Sequence, residues 1–382
     1  MAEIVLQSLH KAFEDFVAVR NTDLTIHDGE FFALLGPSGC GKTTTLRMIA
    51  GLEMPTSGRI LLGGEEVTGL RAGRRDIAFV FQLFALYPHL KVKDNIAYPL
   101  RSQGMAGSER KARIAEVAGV LRIEHLLDKN ISALAGGDRQ RVALARAMVR
   151  RPRAFLMDEP LGTLDAEMRS AMREELRKLH DRIGATSVYV THDQVEAMSM
   201  ADRIAVMDKG LVLQAAPPME LYNNPATMFV ASFVGAPAMN FIAVEGPLAP
   251  GVRTAPLADG GAAEIPVRAL PEGAAARRLA VGIRPEYLKL ADEGHLRGTV
   301  FATEYLGSHR LAVVETPAGK LRLRVPKSAR LTLGETVGVA IDPDRTILFD
   351  AEGGQALNRL DGTPLASAPH ARSEVRREAA DG

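Results

Sequence analysis

The segment Gly36-Pro37-Ser38-Gly39-Cys40-Gly41-Lys42-Thr43 brings glycines, a lysine and a hydroxyl together in an order suited to holding a chain of phosphates. Glycines let backbone N–H groups converge on phosphate oxygens, and a helix that follows adds positive potential at its N-terminus. Lys42 can then reach the β- and γ-phosphates, Thr43 offers a hydroxyl to Mg²⁺, and Thr44 extends the phosphate-binding set. A bare glycine-rich turn is the competing explanation. The apolar run Phe31 to Leu35 before the segment and the helical pattern after it supply the context that a phosphate-binding loop requires. Asp158 and Glu159 end a second apolar run, Ala154 to Met157. There one carboxylate can hold Mg²⁺ and the next can orient or deprotonate an attacking water. His192 follows a third run, Ser187 to Val190, so its imidazole could lie at the sheet's carboxyl edge near the same γ-phosphate, a satisfied surface or core histidine being the alternative, whereas Asp193 and Glu196 read as a helix-capping pair.

These groups need a scaffold that gathers strand ends. All three runs are apolar on both faces, as strands of a parallel sheet covered by helices are, and ligands of open α/β sheets bind outside the carboxyl ends of the strands. Residues from about 4 to 235 alternate such runs with helical patterns, the mark of an α/β domain. Met168, Met172, Leu176, Leu179 and Ile183 recur at helical spacing, which predicts a helix over Ala166 to Ile183 with a charged outer face. A second helix is predicted over Asp138 to Arg150, its arginines mostly solvated. Beyond about Pro237 the texture changes to short strand candidates. Lys320 to Val325 alternates strictly, and Leu311 to Val314, Val337 to Ile341 and Thr346 to Phe349 are similar. A small antiparallel barrel over 236–352 is the expectation. Residues 353–382 offer little to bury and are expected to be disordered.

The 382 residues suffice for about two domains. With 47 Lys and Arg against 46 Asp and Glu, no basic field points to nucleic acid or to an anionic membrane surface. The N-terminal stretch lacks a secretory pattern, no run is long enough to span a bilayer, and the single cysteine, Cys40, fits a reducing compartment. A cytosolic location is the default reading.

Leu134-Ala135-Gly136-Gly137-Asp138-Arg139-Gln140-Arg141, lying between the glycine-rich loop and Asp158, resembles the signature of ABC-type ATPases, and with the other motifs the resemblance spans roughly residues 4–235. The implied fold is an α/β P-loop NTPase domain followed by a small OB-like barrel. The resemblance implies that Ala135, Gly136, Gly137 and Asp138 read ATP held by a second copy. It also implies that Gln82 ligates Mg²⁺ and couples the γ-phosphate site to membrane subunits, and that Gly162-Thr163-Leu164-Asp165 crosses between subunits. Phe13 would stack on adenine, although it also reads as ordinary core, Gln82 as a loop residue and Asp165 as an N-cap. Phe84 to Leu90, Thr191 to Met198 and Pro237 to Phe241 resemble the ATPases of carbohydrate and glycerol-3-phosphate importers. Val195 departs from the acidic residue common in polyamine, iron and sulfate relatives. Gly282-Ile283-Arg284-Pro285-Glu286 resembles the regulatory barrel appended to such importer ATPases.

Family members usually carry serine at 135 and at 162 and glutamine at 138, where this chain has Ala135, Gly162 and Asp138. Losing a hydroxyl donor to a transferring phosphoryl group costs on the order of 3 kcal/mol if the donor acts mainly in the transition state. The N–H groups of Gly136 and Gly137 need no side chain. A carboxylate at 138 is favoured by roughly 0.5 kcal/mol in a first helical turn. At ~8 Å from a partner's triphosphate it is opposed by roughly 2 kcal/mol at an effective dielectric of ~20. Repulsion wins unless Asp138 turns away or pairs with Arg141. Cys40, beside Lys42 at a helix start, is expected to have a lowered pKa and to react readily.

The leading reading is an enzyme. Two copies sandwich two ATP molecules with Mg²⁺, hydrolyse them, and drive membrane permease subunits that import a sugar-like or glycerophosphate solute delivered by a solute-binding protein. The chain then sits peripherally on the cytoplasmic face of the inner membrane, and Leu83 to Leu90 docks the membrane partner. An ATP-binding regulatory subunit with impaired hydrolysis, an importer ATPase for another solute such as a polyamine, and a soluble ABC protein of translation or DNA repair are the alternatives. Intact Asp158, Glu159 and His192 argue against the regulatory reading. The last lacks its second cassette or inserted coiled coil.

Overall fold

Apolar runs and helical repeats alternate in the first half of the chain to give β1 (Ile4–Phe13), β2 (Phe16–Ile26), β3 (Phe31–Leu35), α1 (Lys42–Ala50), β4 (Ser57–Leu62), β5 (Glu65–Glu66) and β6 (Ile77–Val80). There follow α2 (Val92–Ser102), α3 (Gly107–Leu121), α4 (Gly136–Met148), β7 (Ala154–Asp158), α5 (Ala166–Ile183), β8 (Thr186–Thr191), α6 (Gln194–Met200), β9 (Arg203–Asp208) and β10 (Leu211–Ala216). The computed structural model describes residues 2–81, 85–150, 152–162, 164–258, 261–270 and 272–362. By its internal contacts the chain divides into two units between Met219 and Glu220.

In the first unit a six-stranded sheet has the order β10-β9-β3-β8-β7-β6. All its pairings are parallel except that of β10 with β9. The carboxyl ends of β3, β8 and β7 therefore lie side by side, with Leu35 level with Thr191 and Asp158 level with Val190. Each strand is buried almost throughout, which is why each reads as a continuous apolar run. A smaller antiparallel sheet, β2-β1-β4-β5, covers one face. Leu6, Ile26 and Ile60 from it close one core with Leu46 and Ile49 of α1 and with Leu34, Leu156 and Val190 of the central sheet.

Helix α5 runs over the residues its periodicity marks. It starts on Asp165, whose carboxylate accepts from Met168 N at 2.8 Å, and stops on left-handed Gly184. Helix α4 begins two residues earlier than its apolar pattern, because Gly136 and Gly137 are helical despite glycine's poor propensity. A Cβ at Gly137 would lie 2.9 Å from Met168 Sδ, so the missing side chain lets α4 approach α5. Arg75, fully buried, donates to the carbonyls of Met48 and Ile49 at 2.7 and 2.9 Å and to those of Leu70 and Thr68, closing the C-terminal end of α1.

The second unit begins at Glu220, earlier than the change of texture near Pro237. Arg284 bonds to the segment between these two positions. Its guanidinium donates to the carbonyls of Ala231 and Val234 at 3.0 and 2.5 Å and to that of Tyr222 at 2.8 Å, and it lies 4.0 Å over the Tyr222 ring. Those bonds tie α7 (Pro218–Asn223) and α8 (Met228–Phe233) to the strands that follow. The strands are β11 (Asn240–Glu245), β12 (Thr254–Pro256), β13 (Glu264–Pro266), β14 (Arg278–Ile283), β15 (Leu288–Ala291), β16 (Leu296–Tyr305), β17 (His309–Thr316), β18 (Gly319–Pro326), β19 (Thr336–Ile341) and β20 (Ile347–Asp350). They form antiparallel sheets ordered β11-β14-β20, β12-β13 and β15-β19-β16-β17-β18 around a shared core, a small all-β barrel. β18 buries Leu321, Leu323 and Val325 and exposes Lys320, Arg322 and Arg324.

The expected disorder from 353 onward does not hold as far as Gly362. Ala356 is buried, Leu357 N donates to Leu348 O at 2.7 Å, and Arg359 pairs with Glu220 at 2.8 Å. Residues 363–382 lie outside the described residues.

Candidate active site

The glycine-rich segment occupies the turn between β3 and α1. Gly39 and Gly41 have φ of 79° and 106°, a region that glycine enters without strain. A Cβ on Gly41 would lie 2.4 Å from Ala18 O of β2, and one on Gly36 would lie 2.3 Å from Met207 O of β9. No larger residue fits either position. Pro37 and Ser38 form the outer part of the turn, and Thr44 is half-buried on α1. Lys42 is buried, its Nζ donating to the carbonyls of Gly36 and Pro37 at 2.8 and 2.9 Å. The ammonium is thus folded back onto the carbonyls of its own loop.

Thr43 Oγ1 donates to Asp158 Oδ1 at 2.9 Å. Burial pushes the Asp158 carboxyl above its ordinary range, the Thr43 hydrogen bond pulls it back, and the neighbouring Glu159 charge raises it again. A hydroxyl and one carboxylate suit Mg²⁺, which binds to few protein oxygens and keeps waters and phosphate oxygens as its other ligands. No group of three or more His, Cys, Asp or Glu among the described residues could hold a metal ion.

Glu159 adopts a left-handed backbone, φ 43°, a conformation that non-glycine residues hold at a cost of about 1–3 kcal/mol. Its N–H donates to Val190 O at 3.0 Å, and its Oε1 lies 3.1 Å from His192 Nδ1. The bend turns Glu159 from the line of β7 towards the end of β8. Thr43, the consecutive Asp158 and Glu159, and His192, from three distant stretches of sequence, so meet along three adjacent strand ends.

Two sequence expectations need correction. Cys40 is buried, and burial pushes its thiol up, outweighing the lowering influence of Lys42. The helix N-terminus and the lysine are present, but desolvation dominates. Asp193 caps α6, accepting from Val195 N and Glu196 N, yet Glu196 does not reach back to complete a capping box. It turns inward instead, and its Oε2 accepts from Tyr189 Oη and Thr191 Oγ1, both at 2.7 Å.

The remaining candidates lie apart from this cluster or outside the described residues. Phe13 ends β1 with 42% of its surface exposed and Lys11 Nζ 4.5 Å over its ring, so it is not core. Ala135 is the N-cap of α4 in extended backbone and makes no side-chain cap. Gly136 is exposed there, Gly137 is buried, and Asp138 lies 3.9 Å from Arg141 Nη1. Asp165 is exposed at the start of α5. Gln82, with Leu83, Phe84 and Thr163, lies outside the described residues. The rest of the apolar segment is held by Asn95, fully buried, which accepts from Tyr87 N and donates to the carbonyls of Tyr87, Leu90 and Lys91. Arg169 and Glu196 escaped sequence reading, because an arginine on a charged helix face and a glutamate in a capping pattern both look solvated.

A family model described as ABC transporter matches residues 19–162, and one described as TOBE domain matches residues 281–349. The chain is 44% identical over 357 residues to the sulfoquinovosyl glycerol transport ATP-binding protein SmoE of Agrobacterium fabrum, covering 92% of this chain and 98% of that one. It is 44% identical over 361 residues to the sn-glycerol-3-phosphate import ATP-binding protein UgpC of Cereibacter sphaeroides, covering 94% of this chain and 100% of that one. The dimeric structure of MJ0796, a bacterial ABC transporter cassette, matches with a TM-score of 0.51 and 34% identity over 56% of this chain and 98% of that chain.

Proposed function

The chain belongs to the ATP-binding proteins of ABC transporters, an ATPase that energises a membrane transporter, and on that premise we propose which residues act and what is carried. The observation that carries the proposal is the meeting of Thr43 with Asp158 at 2.9 Å and of Glu159 with His192 at 3.1 Å on neighbouring strand ends. Residues Gly36 to Thr44 cradle the phosphates of ATP, with Lys42 on the β- and γ-phosphates. Thr43 and Asp158, with Gln82, would hold Mg²⁺, which would neutralise charge on the phosphates. Glu159 accepts the proton of the attacking water, and His192 fixes the position of Glu159 and of the γ-phosphate. Phe13 is the exposed platform for adenine.

The second half of each site comes from another copy. Ala135 offers no hydroxyl, so recognition across the dimer falls to the N–H groups of Gly136 and Gly137 at the start of α4. Arg141 lies 3.9 Å from the Asp138 carboxylate and offsets part of its repulsion towards a triphosphate, which favours an active enzyme over a regulatory subunit. Asp165 leads the segment that crosses between copies. ATP then stabilises the closed pair, and loss of the γ-phosphate reopens it.

The transported solute is a sugar or a glycerophosphate-like molecule, since the relatives named above transport sulfoquinovosyl glycerol and import sn-glycerol-3-phosphate. No helix among the described residues is long and apolar enough to cross a membrane, and the chain's place is peripheral, on the cytoplasmic face beside permease subunits, as for an importer's ATP-binding protein. Co-purification of those subunits and their solute-binding protein, followed by thermal shifts of the latter with sugars, glycerophosphates and polyamines, tests the solute class. Stabilisation by a sugar or glycerophosphate is expected; stabilisation by a polyamine alone would overturn it.

A further inference from the structure

Arg169, one turn into α5, lies between the segment that leads to Asp165 and the segment that carries His192. Its Nη2 donates to Leu164 O at 3.1 Å, its Nη1 to Asp193 Oδ2 at 3.4 Å, and its Nε lies 3.8 Å from Glu196 Oε1. A guanidinium is a rigid planar fork, so one group fixes acceptors on two sides at once. On one side is the carbonyl immediately before Asp165. On the other are the residues around His192. Thr191 Oγ1 donates to Glu196 and accepts from Asp193 N at 3.0 Å, so of the two neighbours of His192 one is bonded to Glu196 and the other is itself an acid that Arg169 faces. Arg169, Glu159, His192 and Asp193 line one small polar cleft. Glu196 is nearly fully buried, which makes its position costly to change.

We propose that Arg169 is a positioning residue that carries the closure of the two copies to His192, and through it to Glu159. When the segment at Asp165 is seated by the second copy, the Leu164 carbonyl is fixed, and the guanidinium aligns Asp193 and the imidazole next to it. Arg169 acts through its contacts with Leu164, Asp193 and Glu196, so its effect falls on turnover rather than on ATP binding. The inference rests on the two-copy reading given above.

The test uses the full-length chain carrying Arg169→Lys, which keeps the charge but replaces the planar fork, whose two nitrogens serve Leu164 and Asp193 separately, with a single ammonium. The expected result is a fall in kcat of about 10- to 100-fold, the scale of a misplaced catalytic group, with the KM for ATP changed less than about twofold. Asp193→Asn keeps the helix cap and weakens the pair from its other end; it should lower kcat in the same way and supplies the test if Arg169→Lys folds poorly. ATP-dependent dimerisation, measured in a Glu159→Gln background, should survive Arg169→Lys. Turnover within about twofold of the parent for both variants would overturn the proposal, as would dimerisation lost with Arg169→Lys. Absence of ATP-dependent dimers in Glu159→Gln alone would instead overturn the two-copy reading on which it rests.

Discussion

Thr43 Oγ1 and Asp158 Oδ1 are joined by a 2.9 Å hydrogen bond that links the first turn of α1 to the last residue of β7. The bond brings a hydroxyl and a carboxylate to one point while the carboxylate is partly buried beside the charge of Glu159. Burial is the largest influence on Asp158 and raises its pKa, so the folded chain holds an ionised group that would be better solvated unfolded.

That relationship sets a pH dependence with a definite sign. A carboxyl whose pKa is raised on folding destabilises the fold fully above its folded pKa and not at all below its unfolded one, where both states are protonated. Asp158→Asn is therefore expected to raise the Tm of the nucleotide-free protein at pH 8, with the gain fading as the pH falls into the ordinary carboxylate range. Hydrolysis with Mg²⁺ should fall at least about 100-fold in the same variant. Thermal melts across pH and a phosphate-release assay check the two halves.

Cys40 is expected to react slowly. Its thiol is buried and its pKa is raised, chiefly by desolvation, so the reactive thiolate is scarce at neutral pH. Ellman's reagent should modify the native chain at least about tenfold more slowly than the urea-unfolded chain. Equal rates would place the thiol in solvent.

Arg75 holds the far end of the helix that begins at Lys42. Its four carbonyl acceptors would be left in a dry environment by Arg75→Met, at a cost on the order of 3 kcal/mol. Calorimetry should show a Tm lower by roughly 6–12 °C if the first unit melts as one cooperative domain.

The altered signature should limit the rate. Ala135→Ser together with Asp138→Gln supplies a hydroxyl donor and removes a carboxylate only partly offset by Arg141. At least about a threefold rise in kcat is expected, measured by phosphate release. An unchanged kcat would show that backbone groups alone already saturate recognition across the dimer.

Much of this site was legible because its groups end continuous apolar runs. β3, β7 and β8 are buried on both faces, and each delivers its polar residues directly to one edge of the sheet. α5 was legible for a different reason: an uninterrupted repeat bounded by Asp165 and Gly184. Tertiary context decided the rest. Whether Arg75, Arg169, Glu196 and Arg284 are solvated or buried depends on acceptors distant in the chain. No local pattern separates a buried arginine from one on a helix face. Arg284 also bonds to helices that sequence texture assigned to the first domain. Cys40 was misread for a related reason: the sequence displays its neighbour Lys42 but not the depth at which both are buried.

Glu159 is the residue on which the proposed chemistry turns, bent by its left-handed backbone to within 3.1 Å of His192. The most direct measurement pairs phosphate release with light scattering for the full-length chain and its Glu159→Gln variant, each with and without ATP and Mg²⁺. The expected result is turnover by the parent, loss of at least about 100-fold in the variant, and a stable ATP-dependent dimer that accumulates only in the variant. Parent-like hydrolysis by Glu159→Gln, or no dimer with ATP, would contradict a site in which Glu159 activates water between two copies of this chain.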